Sequence, residues 1–327
     1  MKGWQISSYG GTEVFECVDL PYPTSLEDWV TIEVKAFGLN RSELYTRQGH
    51  SGDAVTLPRV LGIECVGIVT DGGKTDLQPG QKVAAAMGNM GRKFDGGYAT
   101  VAQIPRSNVF PFESNLPWDI LGALPETYLT AWGAIHEAIQ LQPNTSLLIR
   151  GGTSAAGLAC ISIAKDMGCT VFATTRSEKK KPILREAGVD HILLEKPGGI
   201  AEALRKIQPE GVAGVVEFVG IEETILDGLK TISPQGTLCM VGFLGNQWDY
   251  KFFPWMPSTI NLTIYSSETI HSTTQTQALQ TIVQKVEQGI YKPNIHQVFP
   301  FDKLPIAQQL MEENRAAGKL VVLTPNE

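Results

Sequence analysis

The chain has 327 residues, more than one hydrophobic core usually holds, so two domains are expected. It is 43% hydrophobic and 19% charged, which excludes a disordered or low-complexity chain, and its net charge of -7 gives a surface unsuited to nucleic acid. No apolar run is long enough for a bilayer, residues 1–16 lack the apolar core of a signal peptide, and Cys17, Cys65, Cys160, Cys169 and Cys239 form no C-x-x-C pair. The expectation is a cytoplasmic protein with no membrane association, disulfide framework or four-cysteine zinc site.

Residues 1 to about 125 read as strands and turns. The segments 31–39 (TIEVKAFGL), 63–70 (IECVGIVT), 81–87 (QKVAAAM) and 98–104 (YATVAQI) are short and rich in Val, Ile and Ala. Turn signals at Asp71-Gly72-Gly73, Gln78-Pro79-Gly80 and Asp95-Gly96-Gly97 separate them, which suggests a β-barrel-like domain. Near residue 126 the pattern changes. Ser146–Arg150 (SLLIR) is an apolar strand, and 158–167 has helical spacing, with Leu158, Ile161, Ala164 and Met167 on one side. Further strands fit at 170–174, His191–Leu194, 215–219, 237–241 and 262–265, with helices at Ala201–Ile207 and Glu222–Leu229 between them. Such alternation implies an α/β fold with a doubly wound parallel sheet. A helix around 276–288 and a strand at 320–323 close the chain.

The sharpest motif is Arg150-Gly151-Gly152-Thr153-Ser154-Ala155-Ala156-Gly157, between an apolar strand and an amphipathic helix. There a doubly wound sheet binds a dinucleotide pyrophosphate on backbone N–H groups. Gly151, Thr153, Ser154, Ala155, Ala156 and Gly157 are the candidate contacts, with Gly157 letting the helix pack close to its strand. The spacing is G-x-x-S-x-x-G rather than G-x-G-x-x-G, and a glycine-rich turn of any α/β protein is the competing reading. The second strand bears on cofactor type. It ends Thr174-Thr175-Arg176-Ser177 with no carboxylate before Glu178, where an NAD site carries Asp or Glu for the ribose hydroxyl. Thr175, Arg176, Ser177 and Lys180 suit a 2′-phosphate, so NADPH is expected; a solvated basic loop is the alternative.

The chain resembles the medium-chain dehydrogenase/reductase superfamily, more narrowly its zinc-independent, quinone-oxidoreductase-like branch. The markers run along nearly the whole chain: Gly38-Leu39-Asn40-Arg41-Ser42-Glu43, Leu57-Pro58-Arg59-Val60-Leu61-Gly62-Ile63-Glu64, Gln78-Pro79-Gly80-Gln81-Lys82-Val83, Gly96-Gly97-Tyr98-Ala99, the nucleotide loop, and Ala317-Gly318-Lys319-Leu320-Val321-Val322-Leu323. The resemblance implies a GroES-like barrel built from 1–125 and 267–327, and a Rossmann domain over 126–266. The positions that bind catalytic zinc in zinc-dependent members look like Asn40, Ile63 and Glu126. Ile63 has no ligating atom and the cysteine-rich lobe is missing, so no metal is expected. Ser154 stands where Gly is usual, and Glu43 where Asp is usual.

The function implied is a hydride transfer from NADPH to a quinone or an α,β-unsaturated carbonyl acceptor. The cofactor carries the hydride, and the protein must offer donors to the developing oxyanion. Asn40, Tyr45 and Thr130 are the candidate catalytic residues. By the resemblance Asn40 lies near the nicotinamide, Tyr45 borders the substrate cleft, and Thr130 begins a helix beside the nicotinamide. Tyr45 and Thr130 also have plainer readings: a cleft-lining or surface tyrosine, and a threonine that caps or stabilises a helix. Glu64 reads as a buried, bonded structural carboxylate, and His50 as exposed. Gly220, and the trio Gly242, Phe243 and Leu244, follow strands at their carboxyl ends, where ligands bind. Gly318 and Lys319 resemble a segment that reaches back to the cofactor; a solvated lysine is the alternative. Residues 252–256 (FFPWM) would line an apolar pocket, seal a subunit contact or be plain core.

Two other functions compete: an NADPH-binding sensor or structural protein with little turnover, and a zinc-free alcohol dehydrogenase. A homodimer is expected, because 237–241 and 262–265 read as apolar edge strands and the family commonly pairs such edges across a two-fold axis.

Overall fold

The structure, a computed structural model, describes residues 1–196, 199–243, 258–267 and 272–325. It divides into two units: Met1–Leu129 with Ser267–Gly289 and Pro293–Glu327, and Thr130–Ser266 with Ile290–Lys292. The cut falls inside one helix, Pro125–Trp132.

All five residues of the second unit's first strand, Ser146–Arg150, are buried. A strand apolar on both faces needs a layer of helices above and below, and parallel sheets supply it. The six-stranded sheet has that form. Its order is His191–Leu194, Thr170–Thr175, Ser146–Arg150, Val212–Glu217, Ile232–Met240, Asn261–Ile264, with every pairing parallel. This is the Rossmann strand order, which reverses direction at Ser146–Arg150 and leaves a crevice at the strand ends there. The helices Ala155–Asp166, Lys181–Glu186, Ala201–Ile207 and Glu222–Leu229 make the crossovers. Leu148, Phe172, Val215, Ile225, Leu229 and Leu238 form part of the core.

The strand expected at 215–219 is Val212–Glu217 instead. Phe218 and Val219 leave it because Glu217 Oε1 accepts the N–H groups of Val219 (2.6 Å) and Gly220 (3.2 Å). The strand expected at 237–241 is Ile232–Met240, and it is paired on both sides. Only Asn261–Ile264, of the two named as edges, is an edge; its Ile264 is 58% exposed.

In the first unit the ten-residue strand Trp29–Gly38 organises the sheet. Along one side, Trp29–Glu33 pairs with Val101–Pro105 and Ala36–Gly38 pairs with Lys319–Leu323; Glu64–Asp71 takes the other side. Register shifts at Thr31/Ile32 and Val34/Ala36 bend it, as bulges do at barrel corners. Lys82–Ala86 and Val109–Pro111 extend the sheet at one end, and Ile295–Pro300 at the other. A smaller sheet joins Phe15–Asp19, Lys2–Ile6 and Arg59–Val60. The helices include Arg41–Arg47, Leu304–Glu312 and Ser272–Glu287; the first two pack on each other. All five cysteines are free, and among the described residues no helix is long and apolar enough to cross a membrane.

Candidate functional site

In the second unit the residues 151–157 form a tight loop entering Ala155–Asp166. Four of its N–H groups are already used, that of Ser154 on Gly151 O (3.0 Å) among them. Gly151 N–H donates to Thr174 Oγ1 (3.1 Å), Gly152 N–H to Thr174 O (3.1 Å), and Gly157 N–H to the hydroxyl of Ser154 (3.0 Å). Ser154 is thus an N-cap, a residue whose side chain satisfies one of the orphan donors of the first turn. Its own hydroxyl donates to Gly151 O (2.8 Å). The N–H groups of Gly151 and Gly157 are therefore not free for a ligand, and both residues shape the loop. A Cβ at Gly157 would stand 2.6 Å from Gly151 O, so the turn closes only around glycine. The N–H groups of Ala155 and Ala156 have no partner among the described residues and open on the helix N-terminus, where the helix dipole favours an anion. The cradle fits a dinucleotide pyrophosphate.

Thr175 folds its hydroxyl onto Ser177, accepting the Ser177 N–H (3.3 Å). Arg176 is exposed and Lys180 half-buried, and neither makes an ion pair among the described residues. Glu178, the next carboxylate along the chain, pairs with Lys181 at 2.8 Å. Gly220 has φ +67, and its Cα side lies against the carbonyl of Gly242. Phe243 is 40% exposed. Leu244 and residues 252–256 lie outside the described residues.

Behind this end of the sheet sits a charged cluster that the sequence reading missed. Arg150, 1% exposed, ends the first strand. Its Nε and Nη2 make a bidentate pair with Glu195 (3.0 and 2.6 Å), and Nη1 donates to Asp227 Oδ2 (2.8 Å) and Thr224 O (2.6 Å). Glu217 ends the next strand, 3.7 Å from Arg150 Nε, and burial pushes its carboxyl up. Asp227 in turn accepts the N–H groups of Ile200 and Ala201 at the start of another helix. The signal in the sequence was a charge closing each of two neighbouring apolar strands, SLLIR and VAGVVE.

The first unit holds a second polar cluster. Asn40 precedes the helix Arg41–Arg47, and its N–H donates to Glu43 Oε2 at 2.7 Å, one arm of a capping box. Glu43, 1% exposed, also accepts from Ile63 N–H (2.8 Å) and from the Tyr98 hydroxyl. Burial pushes its carboxyl up to about 7. Glu64 is fully buried and accepts from Lys319 Nζ (2.6 Å), Asn40 Nδ2 (2.8 Å) and Glu126 N–H (2.9 Å), a bonded structural carboxylate as expected. Lys319 is 3% exposed, which overturns the solvated reading.

Two of the catalytic expectations change. Asn40 is not a free donor: its Nδ2 faces Glu64 and, at 3.4 Å, Glu43, and its Oδ1 accepts from Lys319 (2.7 Å). Thr130 does not begin a helix but lies inside Pro125–Trp132. The Tyr45 hydroxyl has no partner among the described residues; its half-buried ring stands 6.1 Å from that of the exposed His50. Gly318, φ +120, lies against Asn294 of the first unit.

The positions likened to zinc ligands do not fit zinc. Asn40 is tied up, Ile63 is a buried aliphatic, and Glu126 Oε1 accepts the Ser267 hydroxyl at 2.8 Å. Among the described residues no group of three or more His, Cys, Asp and Glu could hold a metal ion.

Comparisons with known proteins agree with this architecture. An alcohol dehydrogenase GroES-like domain model matches residues 26–114, and a zinc-binding dehydrogenase model matches 155–284. The quinone oxidoreductase of Rattus norvegicus is 25% identical over 333 residues, 99% of this chain and 98% of the relative. A highly reducing polyketide synthase, phiA, of a fungal species is 25% identical over 316 residues; the match takes 94% of this chain but only 12% of the synthase. Among solved structures, the quinone oxidoreductase of Pseudomonas syringae pv. Tomato DC3000 superposes with a TM-score of 0.88 at 22% identity, over 98% of this chain and 99% of the other. With the Rossmann strand order, the glycine-rich turn and both domain models in place, the chain belongs to the medium-chain dehydrogenase/reductase superfamily of nicotinamide-dependent oxidoreductases and is quinone-oxidoreductase-like.

Proposed function

We propose that this protein is a zinc-free, NADPH-dependent reductase that delivers a hydride to a quinone or an α,β-unsaturated carbonyl compound. The observation that carries the reading is the end of the strand Thr170–Thr175. Arg176 and Lys180 make no ion pair there among the described residues, Glu178 is paired with Lys181, and Glu195 at the end of the adjacent strand is paired with Arg150. A guanidinium fork and an ammonium suit a 2′-phosphate, whereas a ribose hydroxyl calls for an acid. Bound at this end of the sheet, NADPH supplies the hydride. Ala155 and Ala156 hold the pyrophosphate on backbone N–H groups, and Thr175, Arg176, Ser177 and Lys180 hold the adenosine end. Tyr45, whose hydroxyl has no partner among the described residues, would donate a hydrogen bond to the acceptor oxygen as negative charge develops on it. Where zinc-dependent members place a metal, this chain has a spent amide and an aliphatic side chain.

The test is NADPH absorbance decay with a panel of quinones and enals, with NADH in parallel and metal analysis of chelator-washed protein. Turnover with NADPH, weaker turnover with NADH and no stoichiometric zinc are expected. Reduction of NADP driven by a saturated alcohol, or about one zinc per chain, would replace this reading with an alcohol dehydrogenase. Pairing across the edge strand Asn261–Ile264, with its exposed Ile264, gives the homodimer we propose. Light scattering should then report twice the 35.6 kDa chain mass.

A further inference from the structure

We propose that Lys319 is a positioning residue: its ammonium fixes the amide of Asn40, and through Asn40 the start of the helix that carries Tyr45. The inference rests on the proposed role of Tyr45 toward the acceptor.

Lys319 opens the strand Lys319–Leu323, yet its side chain is 3% exposed, and a lysine is rarely so buried unless paired. Two of its three N–H protons are accounted for, one on Glu64 Oε1 at 2.6 Å and one on Asn40 Oδ1 at 2.7 Å. The second bond carries the argument. An amide side chain can turn over and exchange its oxygen for its nitrogen; a cation on one side and carboxylates on the other forbid it. With Lys319 facing Oδ1, Asn40 Nδ2 must face Glu64 at 2.8 Å. The Asn40 backbone N–H is held by Glu43 Oε2 at 2.7 Å. The residue before Arg41–Arg47 is therefore fixed at both main chain and side chain, and Tyr45 lies on the helix that begins there.

The path for the lysine is built into the neighbouring strand. A Cβ at Gly38 would collide with Lys319 Cε and with Glu64 Oε1, and would stand 2.9 Å from Gly122 O. Gly38 is at the end of Trp29–Gly38, where Lys319–Leu323 pairs with it, so the bare Cα is what lets the lysine stem cross to Asn40. Charge balance explains why a cation is needed: Glu64 and Glu43 are both buried, and Lys319 is the cation bonded to Glu64.

The experiment compares Lys319→Met, the double variant Lys319→Met/Glu64→Gln, and Gly38→Ala with the parent chain. Removing the lysine alone leaves a buried carboxylate without its cation, and Tm falls. The double variant removes both charges, so Tm recovers. Positioning is read separately, from the KM for a quinone and from the 19F resonance of Tyr45 in 3-fluorotyrosine protein, assigned with Tyr45→Phe. We expect the double variant to keep a raised quinone KM, about five- to tenfold, the equivalent of one lost hydrogen bond. Its Tyr45 resonance should stay displaced. Gly38→Ala, which keeps both charges, should show the same displacement. Recovery of KM and of the Tyr45 resonance together with Tm would reduce Lys319 to charge balance and overturn the proposal. If the parent chain reduces no acceptor, the proposed function fails, and the 19F comparison still decides the lysine's role.

Discussion

Each unit holds a buried cation in a polar cluster, Arg150 in one and Lys319 in the other, and the two are built differently. In the second unit Arg150 faces Glu195, Asp227 and Glu217 and also donates to the main chain at Thr224. In the first unit Lys319 faces Glu64 and Asn40, and the remaining polar groups are satisfied by neutral donors: Tyr98, Ile63 N–H and Glu126 N–H. A guanidinium offers five donors in a plane and can tie several chain segments together; an ammonium is a compact charge that aims at few partners. Arg150 accordingly braces backbone, and through Asp227 and Glu217 it meets a helix start and the turn at Val219 and Gly220. Lys319 orients one side chain. A buried ion pair is weak evidence for stability in itself, but breaking one is costly, so the two clusters can be told apart by what fails when each cation is removed.

The largest effect is expected at Arg150. Arg150→Met leaves three carboxylates without their cation and should cost about 3–5 kcal/mol in urea denaturation. Arg150→Lys should recover only part, because one ammonium cannot replace the fork. A loss below 1 kcal/mol would show that the cluster is not a brace.

Glu43 sharpens the comparison from the other side. Its carboxyl lies at about 7 in the folded chain against 4.5 for the free group, through burial. The folded state therefore holds the proton more tightly than the unfolded state. The contribution is complete below pH 4.5 and is lost as pH rises toward 7, by about 3 kcal/mol at most. Tm measured at pH 5 and pH 8 should show that slope, and Glu43→Gln should flatten it while lowering Tm at pH 5. An unchanged slope in Glu43→Gln would assign the titration elsewhere.

Arg176 is the contrast to Arg150 and Lys319, being exposed and without an ion pair among the described residues. Arg176→Ala should weaken NADPH by about 1.5–3 kcal/mol, tenfold or more, and leave NADH within twofold. Equal loss for both cofactors in fluorescence titration would remove the 2′-phosphate assignment. The smallest effect is expected at Ser154. Ser154→Ala removes the cap on Gly157 N–H and should cost about 1 kcal/mol of stability. It also releases another N–H group in the turn, so NADPH binding should not weaken; weaker binding would mean that the serine orders the turn for the cofactor.

The sequence by itself determined the units whose physics is local. SLLIR is apolar on both faces, so it demanded a doubly covered parallel strand, and Ser146–Arg150 is one. Small residues between that strand and an amphipathic helix identified the turn, because only small side chains let main chain approach so closely. The missing acid after Thr175 was equally visible. Other features depended on residues far apart in the chain. Val219 falls out of its strand because Glu217 captures its N–H, a contest between side chain and ladder that hydrophobicity does not register. The amide of Asn40 is spent on Lys319, 279 residues away, and on Glu64. Nothing in the pattern around Asn40 distinguishes a free amide from a bound one. Gln308, which reaches the Tyr98 hydroxyl at 2.9 Å, gave no signal at all. Periodicity and turn chemistry act within a few residues and set elements and loops. Whether a polar side chain is available for chemistry is decided by which partners the folded core has already given it.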